Sequence, residues 1–260
     1  MNGYTNVFNR SIEQYEKNTD KQSLFTSFRK QYVIYGFIEN GDREPDVEAI
    51  NIAKSINLVL YNEYLKALEN RKILGYDGST SKYAMYNNLD SRHIMMSVLL
   101  FTYLPEDVKT IVEIGGGYGN WFYLNRNQSF NKWITIDLPH VGELQKWYLT
   151  GTEIETDRWT TISANNYMET FSQDQNNKKI DLLIGTHSLS EFSLEIFNDY
   201  YKNIICNTKY FLYCHHNMFP TLELITEKNN IIKKDFMLLK SVTNEYGRCT
   251  NCLYINKKNI

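Results

Sequence analysis

Two groups of residues in this sequence have the types and the spacing for chemistry. The first is Glu113-Ile114-Gly115-Gly116-Gly117-Tyr118-Gly119, an acid followed by a glycine-rich stretch. Glycines at such a place let the backbone turn sharply and approach a ligand with no Cβ in the way. Spacing narrows the ligand class. A dinucleotide loop, G-x-G-x-x-G, needs glycine at position 120 after Gly115 and Gly117, and Asn120 stands there. No Gly-Lys-Ser/Thr follows, so a nucleotide-phosphate loop does not fit either. What fits is G-x-G-x-G at Gly115, Gly117 and Gly119. Asp137 closes the next apolar run, 22 residues after Gly115. That is near the offset of ~20 residues at which an acid accepts ribose hydroxyls in doubly wound folds. Beside Glu113 and Asp137 a neutral or cationic ligand is easier to hold than a pyrophosphate. The blander alternative makes Asp137 a helix cap ahead of Leu138-Pro139.

The second group sits at the ends of two later apolar runs, Thr186-His187-Ser188 and Cys214-His215-His216-Asn217, which hold three of the five histidines. An imidazole titrates near neutrality and can take the proton of a hydroxyl nucleophile. His187 is the candidate base, and His216 a weaker candidate for contact with an acceptor. His215 is weaker still, because neighbours along a strand point to opposite faces. Glu191, four residues after His187, has two open readings. It can accept a ring N–H from His187, or it can close a capping box with Ser188 in Ser188-Leu-Ser-Glu191. No metal site is expected. Mg²⁺ needs several oxygen ligands, and Asp181 lies at the start of the fourth run rather than its end. Cys249 and Cys252 have no second pair, and an offset of three in a strand puts their thiols on opposite faces. Tyr83, Tyr86 and Tyr118 lie where they could reach a ligand. Arg92 and His93 could meet an anionic group, or simply form a solvated helix face.

The elements that must position these residues change character near Pro105. Before it the sequence is helical: a polar stretch over 11–30, then apolar positions Val47, Ile50, Ala53, Ile56, Leu60, Tyr64 and Leu68 at helical spacing. Pro45 opens that helix, and Gly75 is expected to close it soon after Leu74. A loop over 76–88 follows, then a helix to Tyr103 with Asp90 as its expected N-cap. After Pro105, short apolar runs at 110–114, 133–137, 160–163, 180–185 and 210–214 alternate with helix-length segments. Such alternation predicts a parallel sheet covered on both faces. Runs at 236–240 and 249–256 are separated by a short turn at 244–247, too short for a crossover, and predict an antiparallel hairpin. The expected fold is therefore α/β and Rossmann-like, five parallel strands plus an antiparallel terminal hairpin. Residues 1–105 form a helical lid or acceptor region over the carboxyl ends of the strands, and 106–260 the ligand-binding domain.

Bulk properties bound the function. The 260 residues are 42% hydrophobic and 22% charged with net charge −2, an ordinary globular balance with no long-range field for nucleic acid. No run approaches the ~20 apolar residues of a membrane span, and residues 1–10 lack the apolar core of a secretory signal. A cytoplasmic protein is expected.

From about residue 91 onward the sequence resembles the class I S-adenosylmethionine-dependent methyltransferases, and more narrowly the bacterial sugar O-methyltransferases. The likeness rests on Val112-Glu-Ile-Gly-Gly-Gly-Tyr-Gly119, Ile136-Asp-Leu-Pro139 and Thr186-His-Ser-Leu-Ser-Glu-Phe192. It implies S-adenosyl-L-methionine as cofactor, held by Glu113, Gly115, Gly116, Gly117, Tyr118, Gly119, Asp137, Leu138, Asn165 and Thr186. It further implies metal-independent O-methyl transfer to a small-molecule or glycan hydroxyl in nucleotide-sugar or capsule polysaccharide biosynthesis, with His187, Glu191 and His216 at the reacting centre. Residues 1–90 carry little of the likeness. Another small-molecule oxygen, including a phosphoramidate, is an alternative acceptor, and a non-catalytic scaffold of the same fold is an alternative role.

Overall fold

The structure is a computed structural model that describes residues 13, 15–30, 43–76, 82–105, 107–173, 179–217, 222–243 and 249–260. The expected turn at 244–247, residues 77–81 of the expected loop, and residues 11, 12 and 14 of the first expected helix lie outside them. In chain order the elements are helices α1 (Lys21–Thr26), α2 (Val47–Glu69) and α3 (Asn88–Tyr103), strand β1 (Thr110–Ile114), α4 (Asn120–Asn125), β2 (Lys132–Asp137) and α5 (Pro139–Gly151). They continue as β3 (Trp159–Ser163), α6 (Tyr167–Gln173), β4 (Leu182–Thr186), α7 (Ser188–Glu191), α8 (Leu194–Asn203), β5 (Tyr210–His216), α9 (Leu222–Asp235), β6 (Phe236–Thr243) and β7 (Cys249–Asn256).

Two compact units emerge. One holds 1–102, 117–127 and 138–156; the other holds 103–116, 128–137 and 157–260. Helices α4 and α5, which follow β1 and β2 in sequence, thus group with the N-terminal helices rather than with the sheet.

The second unit is built on a seven-stranded sheet of order β3-β2-β1-β4-β5-β7-β6. The first five strands are parallel, and β7 runs antiparallel to both β5 and β6. Buried parallel strands read as unbroken apolar runs, and Val112, Ile114, Ile134, Ile136, Leu183 and Phe211 indeed share one core with Phe197, Tyr200 and Ile232 from the helices. The expected α/β sheet with a terminal antiparallel hairpin is the observed one.

Two helix boundaries in the first unit differ from expectation. α2 starts after Pro45, with the Asp46 side chain accepting from Ala49 N–H at 3.2 Å, and it stops at Glu69, not near Leu74. Asp90 is not an N-cap. Asn87 occupies that role: its side chain accepts from Asp90 N–H at 3.0 Å, while the Asp90 carboxylate accepts from Asn87 N–H at 3.2 Å. Asp90 is then free to take Arg71 in a two-pronged ion pair at 2.6 and 2.7 Å, with both side chains buried. Asn120 at the start of α4 donates to Asp90 at 3.1 Å. Burial alone would raise the Asp90 pKa, but the Arg71 guanidinium holds it below the ordinary carboxylate value.

Removing one partner of a buried pair leaves the other charge uncompensated, at a cost of about 3–5 kcal/mol. Asp90→Ala is expected to lower unfolding free energy by that amount in urea titrations, and Arg71→Met with Asp90→Leu together by clearly less. Because the folded-state pKa is depressed, the pair's contribution is present at neutral pH and is lost as pH falls below about 4 through the folded value. An Asp90→Ala loss as small as that of a surface substitution would contradict this role.

Candidate functional site

The parallel register brings the carboxyl ends of β1, β2, β3, β4 and β5 to one edge of the sheet. Ile114 lies opposite Ile136, Asp137 opposite Ser163, and Thr186 opposite Cys214. In open α/β sheets this is the edge at which ligands bind.

The glycine-rich stretch leaves this edge from β1. Gly115, Gly117 and Gly119 all take left-handed backbone, with φ of 78°, 55° and 90°. These are the three positions that the G-x-G-x-G spacing singles out. Gly115 N–H donates to Ile136 C=O at 2.9 Å and so still continues the β1–β2 ladder. A Cβ at Gly115 would lie 2.5 Å from the Ser188 Cβ, whereas one at Gly117 would meet nothing within 4 Å. The first glycine is therefore required by packing as well as by φ, and the second leaves open space.

Glu113 lies beneath this loop, 2% exposed, with Trp133 Nε1–H donating to it at 3.0 Å. Burial pushes its pKa up to about 8, against the Trp133 hydrogen bond. It forms a floor for the loop, since a Cβ on Gly116 would come within 3.2 Å of its carboxyl. Tyr118 is also buried, in the first unit, where its ring packs on Phe28 and Tyr148 and its hydroxyl accepts from Arg29 at 3.2 Å. Its side chain is core, and only its backbone belongs to the loop. Asp137 is half-buried at the end of β2, Leu138 is the N-cap of α5, Asn165 is exposed after β3, and Thr186 is half-buried at the end of β4.

His187 and His216 come together. Their rings stack with centroids 4.1 Å apart and 16° between planes. His187 has φ of 62°, one of two non-glycine residues with positive φ among the described residues, a strain of about 1–3 kcal/mol that persists only where the surroundings impose it. His187 N–H donates to Cys214 C=O at 3.1 Å, and Ser190 and Glu191 N–H groups both donate to His187 C=O. His187 is therefore the N-cap of α7. The capping box read from Ser188 and Glu191 does not form: Ser188 is the first helical residue, and its hydroxyl donates to Ile114 C=O. The ionic neighbour of Glu191 is Lys228, and burial, partly offset by that lysine, pushes its pKa up to about 7.

Lys228 was not foreseen from the sequence. It is fully buried, and its ammonium donates to the carbonyls of Leu189, Ser190 and Phe192 at 2.9, 2.9 and 2.6 Å. Two of these carbonyls belong to the one-turn α7 and the third to its C-cap, Phe192, where a helix end leaves carbonyls without partners. The signal for it was present, because Lys228 shares the buried stripe of α9 with Ile225 and Ile232. Cys249 was likewise passed over as a neighbour of histidine. It lies opposite His216 in the β5–β7 ladder, its Sγ 3.3 Å from His216 Nδ1. His215 points the other way, against Tyr213. Asp181 caps the opposite edge, accepting from Lys109 and Thr110 N–H at 2.9 and 3.0 Å. Arg92 pairs with Asp46 at 2.9 Å, and His93 is half-buried with its Nδ1 3.1 Å from Asn120 Nδ2. Tyr86 meets Tyr61, and Tyr83 is half-buried beside Lys82.

No family model matches this sequence, and no curated protein matches it. Solved structures match it in fold. PH1948 of Pyrococcus horikoshii, a proposed RNA methyltransferase, is 11% identical with a TM-score of 0.52, covering 76% of this chain and 98% of its own. PH0226 of Pyrococcus horikoshii OT3 is 13% identical with a TM-score of 0.51, covering 68% and 93%. TrmK of M. capricolum, solved with S-adenosyl-homocysteine, is 16% identical at a TM-score of 0.43; 58% of this chain spans 63% of its length, too loose a likeness to carry an argument.

The buried Glu113 yields a pH signature. Its folded-state pKa is raised, so its contribution to stability is full below the unfolded value of about 4.3 and is lost as pH rises through about 8. Glu113→Gln, which keeps an acceptor for Trp133, is expected to flatten the fall in stability across that window in urea titrations at a series of pH values. An unchanged slope would mean that Glu113 is ionised in the folded protein at neutral pH.

Proposed function

We propose that this chain is a class I S-adenosylmethionine-dependent O-methyltransferase. One observation carries the reading: Gly115, Gly117 and Gly119 all have positive φ in the loop that leaves β1, with Asp137 ending the neighbouring strand. The donor set suits the cofactor. Backbone N–H groups of the loop can face its methionine portion, and the half-buried Asp137 can accept both ribose hydroxyls. The absence of any contact for a Cβ at Gly117 leaves room for a ligand against the backbone there. Leu138, Asn165 and Thr186 are the further residues proposed to line the cofactor. When bound, the cofactor supplies a methyl group on a sulfonium.

The remaining chemistry falls to the chain. A hydroxyl acceptor is a weak nucleophile until its proton leaves. His187 is the proposed base, taking that proton as the acceptor oxygen forms its new bond to carbon. His216, stacked on it, limits where the ring can turn. Lys228 and Glu191 act behind the base, Lys228 by tying down the carbonyls of α7. The proposed acceptor is a sugar hydroxyl, free, nucleotide-linked or within a surface polysaccharide. What supports it is the likeness of the Thr186–Phe192 stretch to sugar O-methyltransferases, together with a net charge of −2 that offers no attraction to nucleic acid. Among the described residues no helix is long and apolar enough to cross a membrane.

Calorimetry is expected to detect binding of S-adenosylmethionine and S-adenosylhomocysteine, and none of NAD or ATP. Asp137→Ala should weaken the first two by roughly 1.5–3 kcal/mol, the value of hydrogen bonds to a charged group. Equal affinity in a folded Asp137→Ala protein removes Asp137 from the site.

Labelled cofactor screened by mass spectrometry against nucleotide sugars and glycan fragments identifies the acceptor. With that acceptor, and with protein freed of metal by a chelator, His187→Ala is expected to lower kcat by about 10²–10⁴-fold while cofactor affinity holds. Near-normal turnover in that variant would move the base to another residue, with His216 the next to substitute.

A further inference from the structure

His187, His216 and Cys249 bring one imidazole nitrogen each and a thiol sulfur within 4.8 Å of one another. They come from three neighbouring strands of the second unit: the turn after β4, the end of β5 and the start of β7. We infer that these three side chains form a site for a zinc-class divalent ion with its fourth position open.

The donor set chooses the metal. Two imidazoles and a thiolate suit zinc and its neighbours in the transition series, and they offer nothing to Mg²⁺ or Ca²⁺, which take oxygen ligands. Geometry agrees with the choice. Tetrahedral zinc, with bonds of about 2.0–2.1 Å to nitrogen and about 2.3 Å to sulfur, holds its donors about 3.3–3.6 Å apart. Cys249 Sγ and His216 Nδ1 already stand at 3.3 Å. The third donor lies no more than 4.8 Å away, so closing the set asks for side-chain rotation and no shift of a strand. That rotation would tilt the two rings out of their 16° stack so that their nitrogens converge.

The backbone is a second, independent sign. Positive φ at His187 turns its ring across the strand end onto His216. Strain held by the surroundings is common at ligand-binding positions, and here Ser188, Lys228 and the Cys214 carbonyl hold it. All three donors are half-buried, so water or an anionic oxygen can reach the fourth position, as in open rather than closed zinc sites.

A nitrogen bound to an ion has no lone pair for a proton. Occupancy of this site and proton abstraction by His187 therefore exclude each other. Binding itself stands apart from the methyl-transfer reading and can be measured without cofactor or acceptor.

The test uses the full chain, stripped with chelator under reducing, anaerobic conditions and titrated with Co²⁺ as the spectroscopic stand-in for zinc. The expected result is one equivalent of four-coordinate Co²⁺, seen as intense visible d–d bands with a thiolate-to-cobalt charge-transfer band, both bleached by Zn²⁺. Cys249→Ser should abolish the charge-transfer band, and Cys206→Ser should leave it. His187→Gln and His216→Gln should each weaken Zn²⁺ by at least about tenfold. Saturating Zn²⁺ should also protect both histidines from acylation by diethylpyrocarbonate, mapped by mass spectrometry. Weak octahedral bands only in the wild-type protein, a charge-transfer band that survives Cys249→Ser, or unprotected histidines would each overturn the site. Because the wild-type spectrum alone can refute it, the test does not depend on the variants folding.

Discussion

A missing side chain at Gly115 governs the edge of the sheet formed by the carboxyl ends of its parallel strands. The backbone there is left-handed, which a Cβ makes costly, and the space a Cβ would fill is taken by Ser188. The Ser188 hydroxyl then donates to the carbonyl of Ile114, one residue before the glycine. Gly185 repeats the arrangement, since a Cβ on it would lie 2.2 Å from Leu189. The single turn α7 can sit against the ends of β1 and β4 only because both strands are bare at these points. His187, which opens that turn, takes its position from the same two gaps. Gly115, where the loop proposed to hold the cofactor begins, and the histidine proposed to take the proton are thus placed by one packing event.

Four carbonyls go without intrahelical partners at the end of any helix, and in a helix of one turn that is nearly all of them. Water could serve them at a surface. Here Lys228 reaches three from α9, and the ammonium, buried among carbonyl oxygens with Glu191 as its charged neighbour, has its pKa lowered by burial to about 8. A buried cation is tolerated where its donors are all taken, and here that requirement ties α9 to the segment carrying His187.

Much of this arrangement is legible in the amino-acid sequence. The strands are legible because parallel strands buried on both faces must be runs of apolar residues, and those of β1, β2, β4 and β5 are. The glycine positions were legible because few residue types tolerate their φ. Asp90 and Ser188 were misread for a shared reason. Each stands where a cap is chemically sensible, but Asn87 and His187 one position upstream or more took the role, and a histidine at positive φ has no signature in sequence. The partnership of His216 with Cys249 was hidden because it depends on register. Nothing in the order of the strands says that β7 lies between β5 and β6, and a shift of one residue would turn Cys249 to the other face.

That placement of β7 also bears on how the chain is made. A ribosome delivers β5 and then β6, yet neither can pair with the other in the finished sheet, because the strand that joins them comes later. Whenever β7 is unseated, the sheet presents the unpaired N–H and C=O groups of β5 and leaves β6 without its ladder partner. Such edges are templates for pairing with other chains. A chain whose β7 is displaced is therefore expected to aggregate through the edge of β5.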